Sequence, residues 1–153
     1  MRSFALLLGS ALAPLLLATD SAHAQAAPRA EFVGASESAP LSRFVRVGET
    51  IYLSGALGTT PEGTLAPGGI AAETRQTLLN IQATLQQAGA TLDDVVKCTV
   101  FLADMQEWGA MNEVYRTFFA RNKPARTAVG VTGLARNARV EIECVAVRGA
   151  GRP

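Results

Sequence analysis

Val95-Val96-Lys97-Cys98-Thr99-Val100-Phe101-Leu102 decides the fold. The run is dense in β-branched and aromatic residues, which suits a strand at the centre of a sheet. Before it the period is helical. Over residues 70–88 the apolar positions Leu78, Ile81, Leu85 and Ala88 recur at steps of three and four, and Gly89 is placed to end the helix. After it Asp104 predicts an N-cap, with Glu107 three residues on as a capping box requires. The second helix carries an apolar stripe of Trp108, Met111, Tyr115, Phe118 and Phe119, read as core rather than as a pocket wall. Each helix is long enough to cross over between parallel strands.

Further out, residues 43–47 alternate in sidedness, Gly48-Glu49 makes a turn, and residues 51–54 form a second strand. Residues 55–69 are rich in Gly, Pro and Thr and read as a loop, with a short strand near Leu57. Beyond Pro124 come two more strands, joined by the polar turn Ala135-Arg136-Asn137-Ala138. They could pair as a hairpin, or the last strand could skip a neighbour. Two helices against one sheet make a two-layer α+β domain.

The ends bound the domain. Met1-Arg2, an apolar run over residues 4–18 and Ala22-His23-Ala24 read as a signal peptide over 1–24, cut after Ala24. The apolar run is too short for a good membrane span. A flexible leader is expected over 25–40 and the folded domain over 41–149, in an exported protein, periplasmic or secreted. The formal net charge of +1 argues against a nucleic-acid surface. The only histidine, His23, lies in the cleavage site. Residues 25–153 therefore lack Ser-His-Asp and Cys-His catalysis and a His-ligated zinc. Cys98 and Cys144 each fall inside a strand; a disulfide is open to them in an oxidising compartment, but two separate small buried hydrophobes are the preferred reading.

Two charged residues open the last two strands. Arg126, in Pro124-Ala125-Arg126-Thr127, offers a planar fork that suits a small carboxylate. Glu141, in Glu141-Ile142-Glu143, offers a base that could hold a water. On residue types alone the preferred reading is that both are rim charges of a sheet.

Taken in order, several segments carry a resemblance. They are Val47-Gly48 through Ser54-Gly55, Arg75-Gln76-Thr77-Leu78 with Asn80, Ala88-Gly89, Val96-Lys97-Cys98-Thr99-Val100-Phe101, Asn112 with Tyr115, Phe118-Phe119, Pro124-Ala125-Arg126 and Glu141-Ile142-Glu143. At these spacings the chain resembles the RidA/YjgF family of reactive-intermediate deaminases, once labelled L-PSP endoribonucleases. The resemblance implies a chorismate-mutase-like domain: a mixed sheet of about six strands with two helices on one face, the last strand inserted into the sheet. It implies a homotrimer with clefts between subunits. It implies hydrolysis of small enamines and imines (2-imino acids) to 2-keto acids and ammonia, with no cofactor and no metal. Arg126 matches the arginine that holds the substrate carboxylate, and Glu141 the acid that positions the attacking water. Backbone amides near Gly55 and Ala128 would help bind the carboxylate, and Asn112 matches a cleft-side asparagine. Two positions depart: a cleft tyrosine is Leu41 or Ser42 here, and a cysteine two residues after the arginine is Ala128. These departures, with export, keep open a non-catalytic binder of small carboxylates, and the same hydrolytic site acting on another substrate.

Overall fold

Val95–Leu102 forms a strand whose buried side chains, Val95, Cys98, Val100 and Leu102, face two helices. The structure is a computed structural model that describes residues 27–37 and 40–151 of the 153-residue chain. Its strands are β1 (Ala30–Val33), β2 (Phe44–Val47), β3 (Thr50–Leu53), β4 (Ala56–Leu57), β5 (Val95–Leu102), β6 (Ala125–Gly130) and β7 (Val140–Val147). Its helices are α1 (Gly69–Gln87) and α2 (Trp108–Phe118), with short 3-10 turns at Leu92–Asp94, Met105–Glu107 and Ala135–Asn137.

The strand order is β1-β2-β3-β7-β5-β6, and β4 pairs with β7 beyond the end of β3. β5 and β6 are parallel, joined across α2 as the helix length requires. β7 runs antiparallel to β5 on its other side. The last strand therefore skips β6, which settles the choice left open by the sequence. The inserted strand reads as a central one: Val140, Ile142, Cys144 and Ala146 are buried in strict alternation.

Both helices cover the same sheet face. Leu78, Ile81 and Leu85 of α1 and Met111 of α2 are almost wholly buried against Ile51, Val100, Val140 and Ile142. Full burial of such a side chain contributes about 1.5–3 kcal/mol, and cutting Leu78 to alanine would cost about 2–5 kcal/mol. The two-layer α+β expectation holds, with a sheet of seven strands rather than six.

Four expectations are corrected or refined. The leader is ordered in part: Ala30–Val33 pairs antiparallel with β2 as an edge strand. Asp104 does accept from the Gln106 backbone N–H at 2.9 Å, but Glu107 does not complete the box. Its carboxylate takes the Arg139 guanidinium instead, beside buried Glu73, whose carboxylate accepts from the Arg139 backbone N–H at 2.9 Å. Cys98 and Cys144 are both buried, as read, yet they are joined as a disulfide. The β5–β7 register sets them directly opposite each other, which no local pattern announces across 46 residues. In the aromatic stripe, Tyr115 and Phe119 are buried but Trp108 is 42% exposed. The signal peptide assigned to 1–24 lies outside the described residues. Among the described residues no helix is long and apolar enough to cross a membrane.

Candidate functional site

β6 begins just after Pro124, and its ladder with β5 sets Arg126 opposite Cys98. Paired residues share a face, so Arg126 points to the helix side of the sheet. There α2 receives it. Arg126 Nη1 donates to Asn112 Oδ1 at 2.7 Å. The guanidinium carbon lies 4.7 Å from the Tyr115 ring centre and 5.9 Å from that of Trp108. Trp108, Asn112 and Tyr115 are spaced four and three apart, so the helix presents them on one side. Two aromatic faces and one amide oxygen fix the fork without neutralising it. Among the described residues Arg126 forms no ion pair, so its remaining donors are available.

Arg126, Asn112 and Tyr115 line a cleft of about 310 Å³ with Arg116, Phe119 and Lys123. Tyr115 forms its inner wall. Burial pushes the Tyr115 hydroxyl up to about 12, and the Arg126 charge pulls only weakly the other way. The hydroxyl oxygen is buried and has no hydrogen-bond partner among the described residues. Ala128 lies on the same face as Arg126, two residues on. Its backbone N–H points away from the sheet: Val131 N donates to Leu102 O at 2.9 Å, and alternation turns the even-numbered amides of β6 toward the open edge.

Glu141 is placed differently. The ladders set it opposite Phe101 of β5 and Leu57 of β4, on the helix-free face. Gly55 lies beneath its carboxylate: a Cβ built on Gly55 would sit 2.0 Å from Glu141 Oε1. Only glycine leaves room for that approach. Glu143, two residues further along β7, is exposed and shares the face of Glu141.

The structure thus gathers the predicted residues into two groups. Arg126, Asn112 and the Ala128 amide are together; Glu141 and Gly55 are together. The groups lie on opposite sheet faces. They are offset by two strand spacings across and three residues along β5, roughly 10 Å each way. Tyr115 is core, as the sequence pattern assigned it, and also contacts the Arg126 guanidinium; Trp108, read as core, is exposed and flanks it, and their spacing from Asn112 was the available signal. Among the described residues no group of three or more His, Cys, Asp or Glu side chains is placed to hold a metal ion.

The model of the Endoribonuclease L-PSP family matches residues 34–148. A mouse protein named 2-iminobutanoate/2-iminopropanoate deaminase is 48% identical over 111 residues, which cover 72% of this chain and 82% of the mouse protein. The human protein of that name is 44% identical over 111 residues, with 72% and 81% covered. The crystal structure of Escherichia coli TdcF with bound serine is similar at a TM-score of 0.70 and 32% identity, covering 77% of this chain and 94% of that one.

Proposed function

The chain belongs to the Endoribonuclease L-PSP family, known also as RidA/YjgF, and from that premise we propose that it hydrolyses small enamines and 2-imino acids to 2-keto acids and ammonia. The observation that carries the reading is the Arg126 fork, held by Asn112 and stacked on Tyr115 with its other donors open. It fits the carboxylate of a small imino acid in a two-pronged contact, and the outward amide of Ala128 adds a donor beside it.

The chemistry asks little beyond placement. An imine carbon is already electrophilic, so the site must orient it, hold its carboxylate and aim one water. Glu141 takes a proton as the water oxygen adds to that carbon, and the imine nitrogen takes up a proton from solvent. The carbinolamine then loses ammonia: the carbon–nitrogen bond breaks, the hydroxyl gives up its proton to solvent, and the carbonyl of the keto acid forms. Glu141 serves as base in the first step and returns its proton to the leaving nitrogen in the second.

Both groups must meet for this to happen, and a second copy of the chain supplies the means. Arg126 stands on β6, the outer strand at one end of the sheet. Glu141 stands on the helix-free face, beside β4. That face exposes Phe32 at 67%, Tyr52 at 50% and Val129 at 37%, with Val145 and Val147 half-buried. Two different surfaces that complement each other make a head-to-tail contact, which closes into a ring. The assembly proposed is a homotrimer, with Arg126 of one protomer meeting Glu141 of the next. The proposal includes export after cleavage behind Ala24, supported by the basic start, the apolar run and Ala22-His23-Ala24.

The test uses 2-iminopropanoate or 2-iminobutanoate made in place by an amino acid oxidase or a dehydratase, with keto acid and ammonia followed. Added protein should speed their release. A parent protein that accelerates no imino acid would leave the second reading, a binder of small carboxylates, which the self-sufficient Arg126 group favours.

A further inference from the structure

Beyond Gly55 a second groove, of about 640 Å³, runs between β4 and α1, where Asn80 donates to the Leu57 and Thr59 carbonyls at 2.9 Å. Arg43 and Arg136 stand on its walls, with Thr59, Thr60, Asn80 and Thr84, and among the described residues no carboxylate lines it. Arg43 Nη1 donates to Gln87 Oε1 at 2.6 Å, so a neutral amide orients it. Arg136 sits in the turn before β7, at φ 62°, a left-handed conformation uncommon outside glycine. Asn137 after it has φ 57°. This paired left-handed turn holds the Arg136 side chain at the groove.

Five other arginines, Arg46, Arg116, Arg121, Arg139 and Arg148, are engaged by carboxylates. Arg43 and Arg136 form no ion pair among the described residues. Two guanidinium groups that form no ion pair, lining one groove with no acid among its described lining residues, make a cavity for an anion. Gly55 belongs to this groove and also lies beneath the Glu141 carboxylate, so the groove adjoins the place where water is activated.

We propose that Arg43 and Arg136 take a second carboxylate of the substrate, so that the chain acts preferentially on dicarboxylic 2-imino acids. The inference rests on the deaminase reading and narrows its substrate class. The first carboxylate goes to Arg126 of the neighbouring protomer, the imine carbon lies over Glu141, and the side-chain carboxylate passes Gly55 at the end of β4 into the groove, on whose wall stand Asn80 and Thr84 of α1.

The experiment compares 2-iminoglutarate with 2-iminobutanoate, each made in place by an amino acid oxidase, for the parent, Arg43→Gln, Arg136→Gln and the double variant. Both arginines are exposed, so thermal melts should show the variants folded. The parent should favour the dicarboxylate in kcat/KM, and the double variant should lose about tenfold of that preference, chiefly in KM. A parent that favours the monocarboxylate, or a double variant that slows both substrates equally, would overturn the assignment. Calorimetry with 2-oxoglutarate and 2-oxobutanoate separates the two ideas. Arginine-dependent binding of 2-oxoglutarate without any imine hydrolysis would keep the groove and remove the deaminase. Fast hydrolysis with 2-oxoglutarate bound no better than 2-oxobutanoate would do the reverse.

Discussion

The Arg126 group and the Glu141 group solve opposite problems. Arg126 is a long side chain that must be held still, and α2 does so with the Tyr115 and Trp108 rings and the Asn112 oxygen. Glu141 is short, sits in a strand paired on both sides, and needs space rather than support. Gly55 supplies that space by lacking a side chain. One region is built by adding side chains and the other by removing one. On the proposed roles, binding and proton transfer can therefore be damaged separately, and neither face of a single protomer carries both groups.

The largest effect is expected on the Glu141 side. Glu141→Gln keeps the shape and still hydrogen-bonds a water but cannot accept its proton, so the hydrolytic rate should fall about a hundredfold or more. Keto acid binding, read by calorimetry, should persist. Gly55→Ala should mimic it, because the new Cβ must drive the carboxylate aside. Glu143→Gln, on the same face but exposed, should leave the rate nearly unchanged. Equal losses for Glu141→Gln and Glu143→Gln would mean that general surface charge, not an aimed base, drives the rate.

The Arg126 side should respond in affinity. Arg126→Ala removes a two-pronged contact of about 2 kcal/mol and should abolish measurable keto acid binding at modest concentration, with the fold intact. Arg126→Lys should rescue poorly, since an ammonium cannot reproduce the fork or its stacking on Tyr115. Keto acid binding by the lysine variant as tight as the parent's would break the contrast between the two regions.

A smaller effect concerns Tyr115. Its folded hydroxyl titrates at about 12, above its ordinary value of 10.0. A raised value means that this contribution to stability is complete below pH 10 and is lost as pH rises toward 12. Tyr115→Phe should remove that alkaline loss, and at neutral pH should stabilise the fold by about 1 kcal/mol, because the buried hydroxyl has no partner among the described residues. Chemical denaturation at pH 8 and pH 11 reads both. An unaltered alkaline slope in the variant would show that another group titrates there.

The helices and the central strand are legible in the sequence because one period runs through each of them: Leu78, Ile81 and Leu85 in α1, and the β-branched run of β5. β1 is hidden because it is an exposed edge strand, where Phe32 is 67% exposed and Glu31 points to solvent. The Cys98–Cys144 disulfide is hidden because it depends on register between strands distant in sequence. The candidate site residues are singled out by type, since a fork and a base are what the proposed reaction needs. Their separation is not legible. Arg126 and Glu141 each open a strand, but their sidedness can be compared only through β5, which stands between them. Glu107 likewise satisfied a capping pattern until Arg139, distant in sequence, took its carboxylate.

The central claim is that each working site joins Arg126 of one protomer to Glu141 of the next. Co-expression of Arg126→Ala and Glu141→Gln chains tests it directly. Each variant alone should be nearly inactive. Random mixing in closed rings should pair an intact Arg126 with an intact neighbouring Glu141 in about a quarter of the sites, restoring about a quarter of the parent activity. Mixed assemblies no more active than either variant alone would contradict the account.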